Sequence, residues 1–178
     1  LTRNHMIAHA YTVLKSRILE LEGIDYVDWY TGQDLQNGDQ HIKKTPAVFI
    51  EFLPTQWIQL GSDVQQSEQQ VRIHLVSQTR YGDEYDMLDT DNINHEGLQT
   101  ALYKHLQGYG YEYTDDGTTY PLISSMVRTN LTHHHTINNL ISTYQQFDMV
   151  IHDYSGCPEM EEIIATLELE VMLTLDPL

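Results

Sequence analysis

Pro46-Ala47-Val48-Phe49-Ile50-Glu51-Phe52-Leu53-Pro54 is a short run of β-branched, aromatic and aliphatic residues closed by a proline at each end. Proline cannot donate to a ladder, so it marks where a strand starts and stops. Downstream, Gln70-Val71-Arg72-Ile73-His74-Leu75-Val76 alternates polar and apolar residues, the period of a half-buried strand. Residues 61–69 between them are polar. The two runs predict a hairpin with a wide polar connection.

Toward the N-terminus, Ile7, Tyr11, Leu14, Ile18 and Leu21 recur at spacings of four and three, one apolar stripe of a helix. Ala8, His9, Thr12, Ser16 and Glu20 fall opposite, and Gly23 suits the cap. Residues 31–45, rich in Gln, Asn, Asp and Gly, read as a loop. Toward the C-terminus, the acidic stretch from Asp83 to Asn92 leads into a second helix over 93–107. Its apolar face is Leu98, Leu102, Leu106 and Tyr109, and Gly108 ends it. Asp116-Gly117 signals a tight turn. Strands over 122–132 and 143–154 are expected to pair across a loop at 133–142. A last strand over 165–175 sets Leu167, Leu169, Val171, Leu173 and Leu175 on one face, with Glu168, Glu170, Met172 and Thr174 on the other. The order is helix, two strands, helix, three strands. It predicts an α+β fold in one domain over 1–178, a mainly antiparallel sheet flanked by two helices with long polar hairpin loops.

From His105 onward the chain carries one basic residue, Arg128, against eleven acidic ones, a formal charge of −10 within a total of −17. Phosphate affinity comes from Lys and Arg displacing counterions, so this composition argues against a nucleic-acid binder. With 40% hydrophobic and 20% charged residues, the chain reads as folded. Twelve Tyr against three Phe suit half-buried and interface positions. Cys157 is the only cysteine, which excludes an intrachain disulfide and a thiolate zinc cluster. No apolar run approaches the roughly 20 residues that cross a bilayer, so no membrane partner is expected. The stretch Leu1-Thr2-Arg3-Asn4-His5 lacks the pattern of a signal peptide, and cytosolic synthesis is expected.

Linear motifs of catalysis are sparse. His133-His134-His135 is the metal candidate: on an extended chain His133 and His135 point the same way. Asp148 or His152 could complete a site only if the strand register brings them there. A polar hairpin tip explains the same tripeptide. The acidic run 83–91 fails as a calcium loop, because Ile93, Asn94 and Thr100 stand where an oxygen donor, a glycine and a glutamate are needed. Gly108-Tyr109-Gly110 lacks a third glycine and ends a helix where a dinucleotide site would begin one. Glu168 and Glu170 are either the solvent face of a half-buried sheet or a surface aimed at a partner or a channel. No cofactor is implied.

Several phrases in this order resemble the tail-terminator proteins of long-tailed bacteriophages and prophages. They are the amphipathic N-terminal helix, Tyr30-Thr31-Gly32-Gln33, the run from Pro46 to Phe52, Trp57 in a polar excursion, and the strand over 71–76. The helix ending Leu106-Gln107-Gly108 and Tyr120-Pro121-Leu122 opening a strand pair to Phe147 complete the likeness. The resemblance implies a structural virion protein and no enzyme. It would be a homo-oligomeric ring, usually of six subunits, assembled in the host cytoplasm, that stops tail-tube polymerisation and joins the tail to the head connector. Its partners would be further copies of itself, the tail-tube protein and the connector or stopper protein. DNA would pass through without specific binding. Under that resemblance Glu168 and Glu170 are expected to line the lumen, and Gln33, Asp34, Asn37, Trp57 and His133 to His135 to lie on docking loops. The competing readings are a head-tail stopper or other neck protein, a metal-dependent hydrolase using His133 and His135, and an acidic module for a basic partner.

Overall fold

A computed structural model describes residues 6–24, 26–33, 45–61, 64–78, 95–115, 117–135 and 140–154. Along these residues run α1 (Met6–Leu19), β1 (Tyr26–Trp29), β2 (Ala47–Phe52), β3 (Trp57–Gln59), β4 (Gln65–Gln78) and α2 (His95–Leu106). They are followed by β5 (Tyr111–Asp115), β6 (Thr118–Ile123), β7 (Val127–His135) and β8 (Leu140–Asp153). The fold is α+β, as the order of the sequence signals predicts.

Two 14-residue strands form the spine. β4 and β8 pair antiparallel along their whole length, from Gln65 opposite Asp153 to Gln78 opposite Leu140. Each spine strand shares its other edge between two partners. β4 takes β2, from Ala47 opposite Val76 to Phe52 opposite Val71, and then β3. β8 takes β7, and at Ile151 it takes β6. The sheet therefore runs β1-β2-β4-β8-β6-β5, with β3 and β7 beside the spine. The expected pairing of 46–53 with 70–76 is present.

The alternation in these strands sorts the two faces. Val71, Ile73 and Leu75 of β4 join Val48, Ile50, Phe147, Met149 and Ile151 in one core. Both helices lie on that face, α1 against β1, β6 and β8, and α2 against β4 and β8. α2 buries Leu98, Leu102 and Leu106, as its spacing predicts. α1 is turned slightly from the expected stripe: Met6, Ala10 and Val13 are buried with Leu14 and Ile18, while Ile7, Tyr11 and Leu21 flank the core half-buried. The helices are latched at their C-terminal ends by a reciprocal pair. Arg17 Nη2 donates to the His105 carbonyl at 3.3 Å, and His105 Nε2 donates to the Arg17 carbonyl at 2.8 Å. Cationic groups at helix C-termini also suit the dipoles there. Gly108 ends α2 and Gly117 turns β5 into β6, both at positive φ (77° and 78°), where a side chain would be strained.

Several expectations need correction. Residues 122–132 are not one strand, because the segment 124–126 separates β6 from β7. There Ser124 N–H still donates to Val150 O of β8, but Val150 N–H goes to the Ser124 hydroxyl and Met126 N–H turns to Tyr109 O, which interrupts the ladder. Residues 65–69, read as polar connection, are the first part of β4. Their polarity misled because Ser67 and Gln69 are buried yet bonded, Gln69 Nε2 to Leu53 O at 2.7 Å. His133 to His135 belong to β7 rather than to a loop over 133–142. β1, β3 and β5 were not anticipated. β1 pairs parallel with β2, which makes the sheet mixed. The expected strand 165–175, the acidic run 83–91 and Cys157 lie outside the described residues.

Candidate functional site

Four places on the described fold gather polar, ionisable or unmatched apolar groups. The first is the sheet face opposite the helices. Glu51, Arg72, His74, Tyr144 and Gln146 occupy neighbouring positions on β2, β4 and β8 in register. His74 Nε2 meets Glu51 Oε2 at 2.9 Å, and Arg72 Nη1 lies 3.6 Å from the same oxygen. The Arg72 guanidinium sits 5.0 Å from the Tyr144 ring centroid, and its Nε donates to Gln146 Oε1 at 3.3 Å. Tyr30 lies flat on His74. Every member spends its polar atoms or its ring on a neighbour, so the cluster ties three strands together.

The second is the start of α2, where His95 is buried between two hydroxyls. Its Nδ1 meets Ser77 Oγ at 3.1 Å and its Nε2 meets Thr143 Oγ1 at 2.9 Å. A serine–histidine pair suggests nucleophile and base, but catalysis also needs a carboxylate on the far nitrogen and an accessible hydroxyl. Here the far nitrogen meets Thr143, and Ser77 is buried. The contact pins α2 to the spine.

The third lies where α1 borders β1. Asp28 Oδ1 accepts from the Trp29 N–H at 2.8 Å and from Tyr11 at 3.3 Å, and Oδ2 accepts from Tyr26 at 2.9 Å. Burial alone would raise this carboxyl. The three donors and the nearby Lys15 outweigh it, and its pKa falls below the usual value. Burial, then the Asp28 charge and hydrogen bond, push Tyr11 up to about 12. On the same helix, a crevice of about 310 Å³ opens between His9, Val13 and Arg17 of α1 and Tyr109 and Tyr111. Arg17 is already engaged there, stacked 5.0 Å from Tyr109 and paired with Glu20 at 2.6 Å.

The fourth consists of apolar side chains that stay in water. Among the described residues the exposed large hydrophobics are Leu19, Trp29, Ile58, Leu60, Val127 and Leu131. Trp29 is partly matched, stacked on Phe52 at 5.3 Å. Ile58 and Leu60 lie on and just after β3, and Val127 and Leu131 lie on β7, the two strands that flank the spine. Single exposed apolar residues are ordinary on a folded surface, and the register sets Val127, opposite Asp148, and Leu131, opposite Gln145, on opposite faces of the sheet.

The candidate residues from the sequence do not converge. β7 carries His133 opposite Thr143 and His135 opposite Ile141. Asp148 sits opposite Val127, five residues further along β8, roughly 17 Å from the level of His133. His152 pairs with Gln66 of β4 beyond the end of β7. The register therefore brings neither to the histidines. Among the described residues no three His, Cys, Asp or Glu side chains gather as a metal needs. Trp57 is on β3 and packs its ring against the core, not on a docking loop. Gln33 folds back, donating to Trp29 O and accepting from Thr31 N–H, both at 2.7 Å, which closes the turn after β1. Asp34, Asn37, Glu168 and Glu170 lie outside the described residues. The apolar pairs on β3 and β7 were missed. The available signal was Ile58-Gln59-Leu60 standing apolar inside an otherwise polar stretch.

No family model and no curated protein matches the sequence. Among the described residues no helix is long and apolar enough to cross a membrane.

Proposed function

We propose that the chain is a structural subunit of a long-tailed phage virion, a ring-forming protein of the tail-terminator kind. The observation that carries the reading is the order of helices, strands and local phrases along the chain, from the N-terminal helix through Pro46 to Phe52 and on to Phe147; the exposed Ile58, Leu60, Val127 and Leu131 are available for subunit contacts. A chain of net charge −17 has no need of such groups for solubility, and subunit contacts bury groups of this kind. The resemblance in element order supplies the identity of the assembly. Polar clusters whose members hold one another fit a scaffold, and an acidic chain suits a passage through which DNA slides without binding.

In this role the copies form a ring, six by the resemblance, at the head-proximal end of the tail tube. The ring halts tube growth and presents the surface that meets the head connector. Under the resemblance Glu168 and Glu170 are expected at the passage. Deleting the gene from its phage and measuring tails by electron microscopy tests the role. Overlong or headless tails are expected. Tails of normal length joined to heads would contradict it.

A further inference from the structure

We infer that residues 165–175 add to the outer edge of β5 as one more antiparallel strand, so that the chain closes its own sheet on that side. Leu167, Leu169, Val171, Leu173 and Leu175 alternate with Glu168, Glu170, Met172 and Thr174, a pattern that needs a sheet edge and a core margin to cover its aliphatic face. β5 supplies the edge, because among the described residues it ends the order β1-β2-β4-β8-β6-β5. Its faces also match. Tyr111 and Tyr113 are half-buried against the core, while Glu112 and Thr114 are exposed. An added strand sets its aliphatic residues beside the tyrosines and its glutamates on the outer face with Glu112 and Thr114.

The path of the chain leads to this edge. Ile123 of β6 pairs with Ile151 of β8, and extending that register sets Tyr154 opposite Tyr120. Tyr154 meets Tyr120 at 5.1 Å and Tyr113 of β5 at 6.4 Å between ring centroids, so the chain leaves β8 beside β6 and β5. Ser155-Gly156-Cys157-Pro158 then carries the residues of a reversal. β5 and β8 both run antiparallel to β6, so a segment that turns back is antiparallel to β5. The outer side of β5 lies three strand spacings from β8, about 14 Å, within the roughly 33 Å that residues 155–164 can span. That short tether favours the same chain over a second copy as the donor. The other edges fit worse. β1 pairs at the level of Ser142 to Gln145, about 30 Å back along β8. β3 is three residues long, and on β7 the Arg128 and Leu131 amides are taken by the side chains of Gln107 and Asn130. Longer than β5, the segment runs on past Tyr111 toward the crevice between α1 and Tyr109. Covering β5 in this way also protects it from indiscriminate strand pairing.

Hydrogen–deuterium exchange of the full chain tests the pairing by comparing the parent with a double variant, Leu167→Asp with Leu169→Asp. The β5 amides are expected to exchange about tenfold faster in the variant, with those of β4 and β8 unchanged. Equal β5 exchange in the two chains, or protection lost from β3 instead, overturns the inference. A second chain, with Cys157→Ser, Thr114→Cys and Glu168→Cys, keeps the aliphatic face intact. A short bis-maleimide is expected to join its two cysteines within one chain. Cross-links formed only between chains, or none at all, overturn the intrachain pairing. Neither measurement depends on ring assembly, so the ring reading stands or falls separately.

Discussion

The ring of Tyr30 lies parallel to the imidazole of His74, with centroids 3.8 Å apart and planes 6° apart. Tyr30 follows the outermost strand β1, and His74 sits on the spine strand β4, so the stack reaches across β2. His74 is buried, and its Nε2 is held by Glu51 on that intervening strand. The stack and the hydrogen bond thus clamp β1, β2 and β4 in order. Tyr30→Ala is expected to cost about 2 kcal/mol, and Glu51→Gln about 1–2 kcal/mol, from a lost aromatic contact and a weakened charged hydrogen bond. Urea denaturation curves with unchanged slope would measure both.

His95 offers a sharper loss. Replacing it with alanine leaves the Ser77 and Thr143 hydroxyls without the imidazole between them and opens a cavity under α2. The expected cost is about 3 kcal/mol. If the pair served only catalysis, the denaturation midpoint of His95→Ala would match the parent.

Alkaline pH should loosen the α1–β1 junction. Tyr11 ionises near its ordinary pKa of about 10 in the unfolded chain but only at about 12 when folded. The unfolded state therefore loses its proton first, and stability present below pH 10 is lost between about pH 10 and 12. Tyr26 is shifted in the same direction, by its hydrogen bond to Asp28 and then by burial. Thermal melts across this range should show a falling midpoint, and Tyr11→Phe should flatten the fall.

Acid works through different groups. The folded Asp28 carboxyl lies below its ordinary value, so its contribution is present above about pH 4 and disappears as pH falls through the folded pKa. His152, held down by burial, stays neutral in the folded chain while the unfolded chain protonates. Its share is full above about pH 6.5 and is lost below that value. Asp28→Asn should remove part of the lower limb without moving the upper one, and NMR titration of His152 would place the latter.

His133 separates the scaffold reading from a metal enzyme. It is exposed on β7, away from Asp148 and His152. His133→Ala should shift stability by less than about 0.5 kcal/mol and leave assembly unchanged. Stoichiometric zinc in the parent that disappears in the variant would favour the hydrolase instead.

What could be read from the chain followed from how each signal arises. The apolar residues of β2 and β4 and the leucines of α2 show period and composition together, so strands and helix were legible. The first half of β4 was not. Ser67 and Gln69 are buried through hydrogen bonds rather than hydrophobicity, and polarity alone read as loop. β1 and β3, four and three residues long, are too short for a period to appear. β5 is short too, its tyrosines alternating with Glu112 and Thr114 in a way that composition did not single out. The break at 124–126 depends on tertiary bonds to Val150 and Tyr109. The histidine run was conspicuous in sequence, yet register removed its proposed partners. The flanking pairs on β3 and β7 were inconspicuous in sequence, because exposure is a property of the finished sheet.

Particle mass across a concentration series measures the proposed closure of copies into a ring directly. Sedimentation equilibrium or mass photometry is expected to show monomer giving way to one closed species of fixed copy number, six by the family resemblance. A monomer at all concentrations, or an open ladder of sizes with no favoured species, would contradict it.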